Sequence, residues 1–342
     1  MKKTDTQKIK GIAICMMVIH HLFMVNWHIP SAPEIPHYLS AIAHTCKICV
    51  AIYCFLTGYG YAFSKNKNLR YGLTKCADLL KRYWLQLFLF FIPVAIISGY
   101  KLSPQLLVRN LFGLSPNLNF FAWYVYFYIF AMLILPVFTN WEKLWKKPWI
   151  CLFSIVGLCY VAAAALHSLP IYESNILIAD LFNCMIYFPG VILGYVCARY
   201  KAFEYLDSKL PKSPWIYAVA AIAILLCRTI ISSIMGLPLD IYYGSLFVYC
   251  CYRVIKHKWM KYPGKALSVC GKYSTPIWFF HAVFFSTYIR DYCQWIIWLP
   301  RNPIFVFIWC MLICLLVAIP LELLINCIDK LGNYIIRKKR DV

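Results

Sequence analysis

Apolar residues run in blocks of about twenty along nearly the whole chain, and a block of that length crosses a bilayer as one helix. The blocks predict ten spans, near residues 11–29, 43–64, 83–99, 120–139, 149–167, 176–198, 215–234, 238–255, 272–290 and 303–326. Gly236-Leu237-Pro238, between the seventh and eighth, reads as the tight turn of an antiparallel helical hairpin. The longest outer connection runs from Tyr100 to Asn119. Its apolar middle, Leu106 to Leu114, fits an amphipathic or re-entrant helix and an ordinary surface loop equally well. No internal repeat divides the chain. The predicted fold class is all-α: a polytopic transmembrane helical bundle of about ten spans, one membrane-embedded domain over residues 1–342.

Composition agrees with the pattern. The chain is 62% hydrophobic and 14% charged, which excludes an ordinary soluble domain. A net charge of +21 would suit a nucleic-acid partner if the bases formed one patch. They are instead sorted by loop. With the N-terminus inside, 28 of the 34 Lys and Arg fall in cytoplasmic segments, while the outer loops hold Lys101, Arg109, Arg290 and Arg301. This is the positive-inside bias; it predicts cytoplasmic termini and anionic-lipid contact, and argues against nucleic acid. Lys2 and Lys3 resemble the start of a signal peptide, but the apolar run after Gly11 is too long and lacks a small-residue cleavage site, so a retained first span is expected. Seventeen cysteines lie mostly within apolar spans, where a thiol behaves as a small hydrophobe. Cys46 and Cys49 form a lone CxxC without a second ligand pair, so no metal is expected.

Ionisable groups inside a span are costly and point to function. Lys10 at the mouth of the first span and His21 inside it are eleven residues apart, nearly a whole number of helical turns, and so share a face roughly 16 Å long. Met17 and His28 fall on the same stripe. A neutral imidazole at that depth can take a proton from a hydroxyl nucleophile, or can simply bond a neighbouring helix. In the ninth span His281 lies nine residues beyond Lys272, roughly 13 Å into the membrane, a depth similar to that of His21. Lys47 either snorkels to the outer headgroups or lines a polar cavity, and Arg228 poses the same choice. Asp180 and Glu322 are candidate counter-ions. Lys65, Lys67, Arg70, Lys75, Lys81 and Arg82 make the densest basic stretch, suited to lipid or to a phosphorylated ligand. No Gly-rich phosphate loop, HExxH or nucleophile elbow is present.

Four separate stretches resemble the acyltransferase-3 family of integral-membrane acyltransferases. Lys10 with His21 resembles its first-helix motif of a base, ten residues, then histidine. Lys47 through Thr57-Gly58-Tyr59 is similar to its second-helix pattern. Trp123-Tyr124-Val125 with Leu135-Pro136 resembles its Trp-aromatic-Leu helix, and Ser274 to His281 its late Ser-to-His segment. The chain departs from the family in having Lys at positions 10 and 47, where Arg is common, and Phe121-Ala122 where a histidine often precedes the tryptophan.

The resemblance implies transfer of an acyl group, most often acetyl, from cytoplasmic acyl-CoA to a hydroxyl of a cell-surface or lipid-linked glycan, or of another molecule, at the outer face of the cell membrane. By the same resemblance His21 is the base, with His20 as its alternative; His281 accepts the proton or binds the donor; and Lys47, or Tyr124, stabilises the oxyanion. Lys10, Lys81, Arg82, Trp123 and Ser274 are assigned to the donor. The competing reading is a permease that moves a small polar solute through a cavity lined by His, Lys and Arg.

Overall fold

The computed structural model describes residues 1–24, 33–114, 116–143, 146–235 and 239–338, and among them there is no strand. The helices are α1 (Lys3–Phe23), α2 (His37–Cys46), α3 (Cys49–Ala62), α4 (Leu69–Gln86), α5 (Ile92–Ile97), α6 (Pro104–Phe112), α7 (Tyr124–Glu142), α8 (Pro148–His167), α9 (Ile176–Arg199), α10 (Ala202–Lys209), α11 (Pro214–Met235), α12 (Asp240–Ile255), α13 (Lys261–Lys272), α14 (Ser274–His281), α15 (Arg290–Ile297) and α16 (Pro303–Lys338). Among the described residues, seven helical stretches are long and apolar enough to cross a membrane: 37–62, 69–97, 120–142, 149–167, 176–199, 214–231 and 303–332. They correspond to seven of the ten expected spans. His28 and the Gly236-Leu237-Pro238 turn lie outside the described residues.

The other three expected spans take different forms. The first lies in α1, which begins at Lys3, and the eighth is the sixteen-residue α12. The ninth is not one helix. α13 stops at Lys272, α14 starts afresh at Ser274, and a 3-10 turn follows at Ala282–Phe284. Pro276 explains the first break: inside a continuous helix its ring would meet the Lys272 carbonyl and give it no N–H. α13 instead packs lengthwise on α1, where Gly271 and Gly11 bring the backbones into contact.

The second and third spans are also interrupted. Lys47 and Ile48 separate α2 from α3. The stretch 69–97 starts well before residue 83, so Arg70, Lys75, Lys81 and Arg82 stand on a helix rather than in a loop; Asn68 caps it by accepting from the Tyr71 N–H at 3.0 Å. Four residues after Leu89 comes Pro93, which has no N–H to give, and the helix passes this gap as a π turn over Leu87–Phe91. Of the two readings of 106–114 the helix is observed, as α6. Ser103 caps its start at 3.2 Å from the Leu106 N–H, and Gly113 ends it in the left-handed region at φ 69°.

Among the described residues the most extensive helix contact is α3 on α9. Gly58 sits against the Val191 carbonyl and Gly194 against the Phe55 carbonyl, so the two backbones touch through a reciprocal pair of small residues. This contact sets one wall of the cavity described next.

Candidate active site

A cavity of about 530 Å³ runs among α1, α3, α4, α7 and α14. α1 lays Lys10, Met17, His20 and His21 along it, the stripe expected from helical spacing. Near Lys10 the wall also carries Lys75, Asp78 and Arg82 from α4; at the other end stand His20, His21, Lys47 and Phe121. Tyr53, Thr57, Tyr124, Ser274 and Trp278 line the length between them, and Trp123 lines the cavity too. The interior is thus a polar and aromatic channel with cations at each end.

His21 and His281 are 260 positions apart in sequence and meet at the end of this cavity, His21 Nδ1 lying 2.7 Å from His281 Nε2. Their protons can be assigned from partners. His281 Nδ1 lies 3.2 Å from the Ile277 carbonyl, which can only accept, so His281 carries its proton there. Neutral His281 then offers a lone pair at Nε2, and His21 must donate from Nδ1. His21, a residue that lines the cavity, is left with an unprotonated Nε2, the nitrogen a general base needs. His281 is fully buried and lines no part of the cavity, so it reaches a substrate through His21.

Phe121 stacks on the His21 ring, centroid to centroid 3.7 Å at 26°. It is held there by bonds between its own segment and α14: Trp278 Nε1 donates to the Phe121 carbonyl at 3.0 Å, and Asn119 Nδ2 to the Phe279 carbonyl at 3.1 Å. The hydroxyls of Ser286 and Tyr288 donate to the Leu118 carbonyl. Phe121 stands where the family resemblance leads one to look for histidine, and the sequence carried no other sign of its stacking role.

His20 lines the cavity but is tied by one nitrogen to a neighbouring helix. Its Nδ1 donates to the Ala43 carbonyl at 2.8 Å, at the end of α2. Lys47 lines the cavity, and among the described residues no carboxylate pairs with it. Arg228 is 2% exposed and is fully engaged: Nε and Nη2 lie 2.8 Å from the two Asp240 oxygens, and Nη1 lies 2.8 Å from the His44 carbonyl. Asp240 carries no signal of this pairing in the sequence, because it opens a span instead of interrupting one. Lys10 has no carboxylate partner among the described residues, while Tyr53 donates to its carbonyl at 3.4 Å.

The remaining candidates divide. Arg82 lines the cavity but turns its fork to Glu322, at 2.7 and 3.2 Å. Lys81 is not in the lining and pairs with Asp329. Ser274 and Trp123 are in the lining; Trp123 also packs against the Tyr187 ring, centroids 5.5 Å apart. Tyr124 turns its hydroxyl to Cys54 Sγ, 3.8 Å away. Asp180 is buried in α9 and Glu322 answers Arg82. Among the described residues no group of three or more His, Cys, Asp or Glu could hold a metal ion.

Fold and site together define an integral-membrane helical protein organised around a buried histidine pair at the end of a polar cavity. The family model described as an acyltransferase domain, acyltransferase-3, matches residues 9–323. The chain belongs to that family and is a multi-pass membrane acyltransferase. No curated protein and no solved structure gives a significant match.

Proposed function

We propose that this acyltransferase takes an acyl group, acetyl in the first instance, from cytoplasmic acyl-CoA and places it on a hydroxyl of a cell-surface or lipid-linked glycan at the outer face of the cell membrane. The observation that carries the reading is the His21–His281 bond, 2.7 Å long, at the opposite end of one cavity from Lys10, Lys75 and Arg82. The positive-inside bias puts the Lys10 end in the cytoplasm. CoA phosphates would meet the basic end, and the narrow pantetheine arm would lie between Tyr53, Tyr124 and Ser274.

In this scheme His21 Nε2 takes the acceptor's hydroxyl proton as the oxygen attacks the thioester carbonyl. The oxyanion forms beside Lys47, the C–S bond breaks, and the CoA thiolate leaves with the proton from His21. His281 holds the His21 tautomer and bears part of the charge while the imidazolium exists. No observation favours the solute-permease alternative.

The reading is tested by comparing envelope glycans of cells with and without the gene for an added base-labile ester, together with acetyl-CoA consumption by the purified protein. No ester difference and no consumption would end it. Lys10→Ala is expected to weaken acyl-CoA binding about tenfold, the loss of one charged contact, without lowering the yield of folded protein; calorimetry showing unchanged binding would remove Lys10 from the donor site. The proposed orientation also has its own test. Cys293, in α15, is expected to react with a membrane-impermeant maleimide added outside intact cells. Labelling that requires opening the cells would invert the map.

A further inference from the structure

The α2–α3 junction carries an arrangement that the acyl-transfer scheme does not use. In a continuous helix the Lys47 N–H would bond the Ala43 carbonyl. Here it turns to His44, one residue closer, at 3.2 Å, and Ile48 turns to Thr45. The Ala43 carbonyl thereby loses its helical donor, while the His44 carbonyl takes the Lys47 N–H and keeps a second lone pair. A carbonyl left unpaired in an apolar bundle is costly. Side chains from other helices complete both: His20 of α1 donates to Ala43, and Arg228 of α11 adds a second donor to His44, each at 2.8 Å. Thr229, next to Arg228, adds a hydroxyl contact to Thr45 at 2.8 Å.

The charge arrangement follows from the same group. His44 lies within electrostatic range of Arg228, Lys47 and Asp240 alike. Arg228 takes both Asp240 oxygens with a bidentate fork, the geometry a guanidinium holds and an ammonium does not. Lys47, in the same cluster, stays without a carboxylate.

We propose that Arg228, with His20, is a positioning residue for the transfer reaction: it caps the broken end of α2 and keeps Asp240 occupied, so that Lys47 stands in the cavity wall as an unpaired cation. This rests on the reading of Lys47 as the group beside the oxyanion. Without Arg228, the stranded Asp240 carboxylate recruits Lys47, and the histidine end of the cavity loses this unpaired cation.

The test uses the purified full chain in detergent. Competition labelling of Lys47 with acetic anhydride, read by mass spectrometry, reports its pairing, and acetyl-CoA turnover reports the reaction. Arg228→Gln is expected to slow Lys47 labelling about tenfold, the effect of one opposite charge at contact, and to reduce turnover by a similar factor. Adding Asp240→Asn removes the competing carboxylate and is expected to restore both. A bracing role alone predicts no such rescue, so a double variant as impaired as Arg228→Gln overturns the proposal, as does unchanged labelling in Arg228→Gln. If Arg228→Gln is not recovered as a monodisperse protein, Arg228→Lys replaces it; a lysine cannot serve both carboxylate oxygens and the His44 carbonyl, and the same order at smaller amplitude is expected. Labelling that follows this order while turnover does not would leave the sequestration of Asp240 standing and overturn the use of Lys47 in the reaction, and with it the positioning role.

Discussion

His21→Ala is expected to leave a folded protein that still binds acyl-CoA and transfers its acyl group about 10²- to 10⁴-fold more slowly, the contribution of a positioned general base. The ring is buried among groups that survive its removal: Phe121 keeps its bonds to α14, and His281 keeps its bond to Ile277. The cost to stability is that of a small cavity plus one lost hydrogen bond, on the order of 2 kcal/mol. Binding is spared because Lys10 and Lys75 are near the other end of the cavity. The measurement is single-turnover transfer beside a binding isotherm. His281→Gln should fall between the two proteins, since an amide oxygen can accept from His21 Nδ1 but cannot share the charge of an imidazolium. If His21→Ala transfers at the rate of the unchanged protein, the base is elsewhere, and His20 is the next residue to test.

The second large effect is structural. Gly58→Ala puts a Cβ 1.7 Å from the Val191 carbonyl oxygen and 2.9 Å from the Tyr195 nitrogen. No side chain can move aside, because the obstruction is the α9 backbone. α3 must separate from α9, and overpacking of this kind costs about 1–3 kcal/mol, here at or above the upper end. A lower melting temperature in detergent is expected, with loss of activity, since α3 carries Tyr53 and Thr57 along the cavity wall. Gly60→Ala, two residues on, meets nothing within 4 Å and supplies the control. It should leave the melting temperature unchanged or raise it slightly, as alanine favours helix over glycine by about 1 kcal/mol. Equal melting of the two variants would mean that α3 and α9 do not meet through Gly58.

Much of this arrangement was legible from hydropathy and spacing. Apolar runs located the seven stretches that are long enough to cross a membrane, and the eleven-residue interval put Lys10 and His21 on one wall. Depth counted along two helices brought His21 and His281 level, but not their angle about each helix, and that angle decides whether two imidazoles bond. Lys81 and Arg82 show the same limit. As neighbours on α4 they diverge by about 100°, so one lines the cavity and answers Glu322 while the other pairs with Asp329. The break before α14 was written in Thr275-Pro276, yet the hydropathy of the following residues hid it. The Arg228–Asp240 pair was hidden differently: its carboxylate opens a helix, where a charge is ordinary, and what makes it unusual is the partner brought across from α11.

The bonds that tie residues 118–123 to α14 have a mechanical result. Phe121 and His281, the two groups against His21, belong to one stiff block, whereas His21 and Lys10 ride on another rigid rod, α1. The 2.7 Å His21–His281 bond thus joins two separately held elements, and a relative displacement of about 1 Å along it would carry it beyond hydrogen-bond range. The alignment of the two imidazoles is set by how α1 seats against α14.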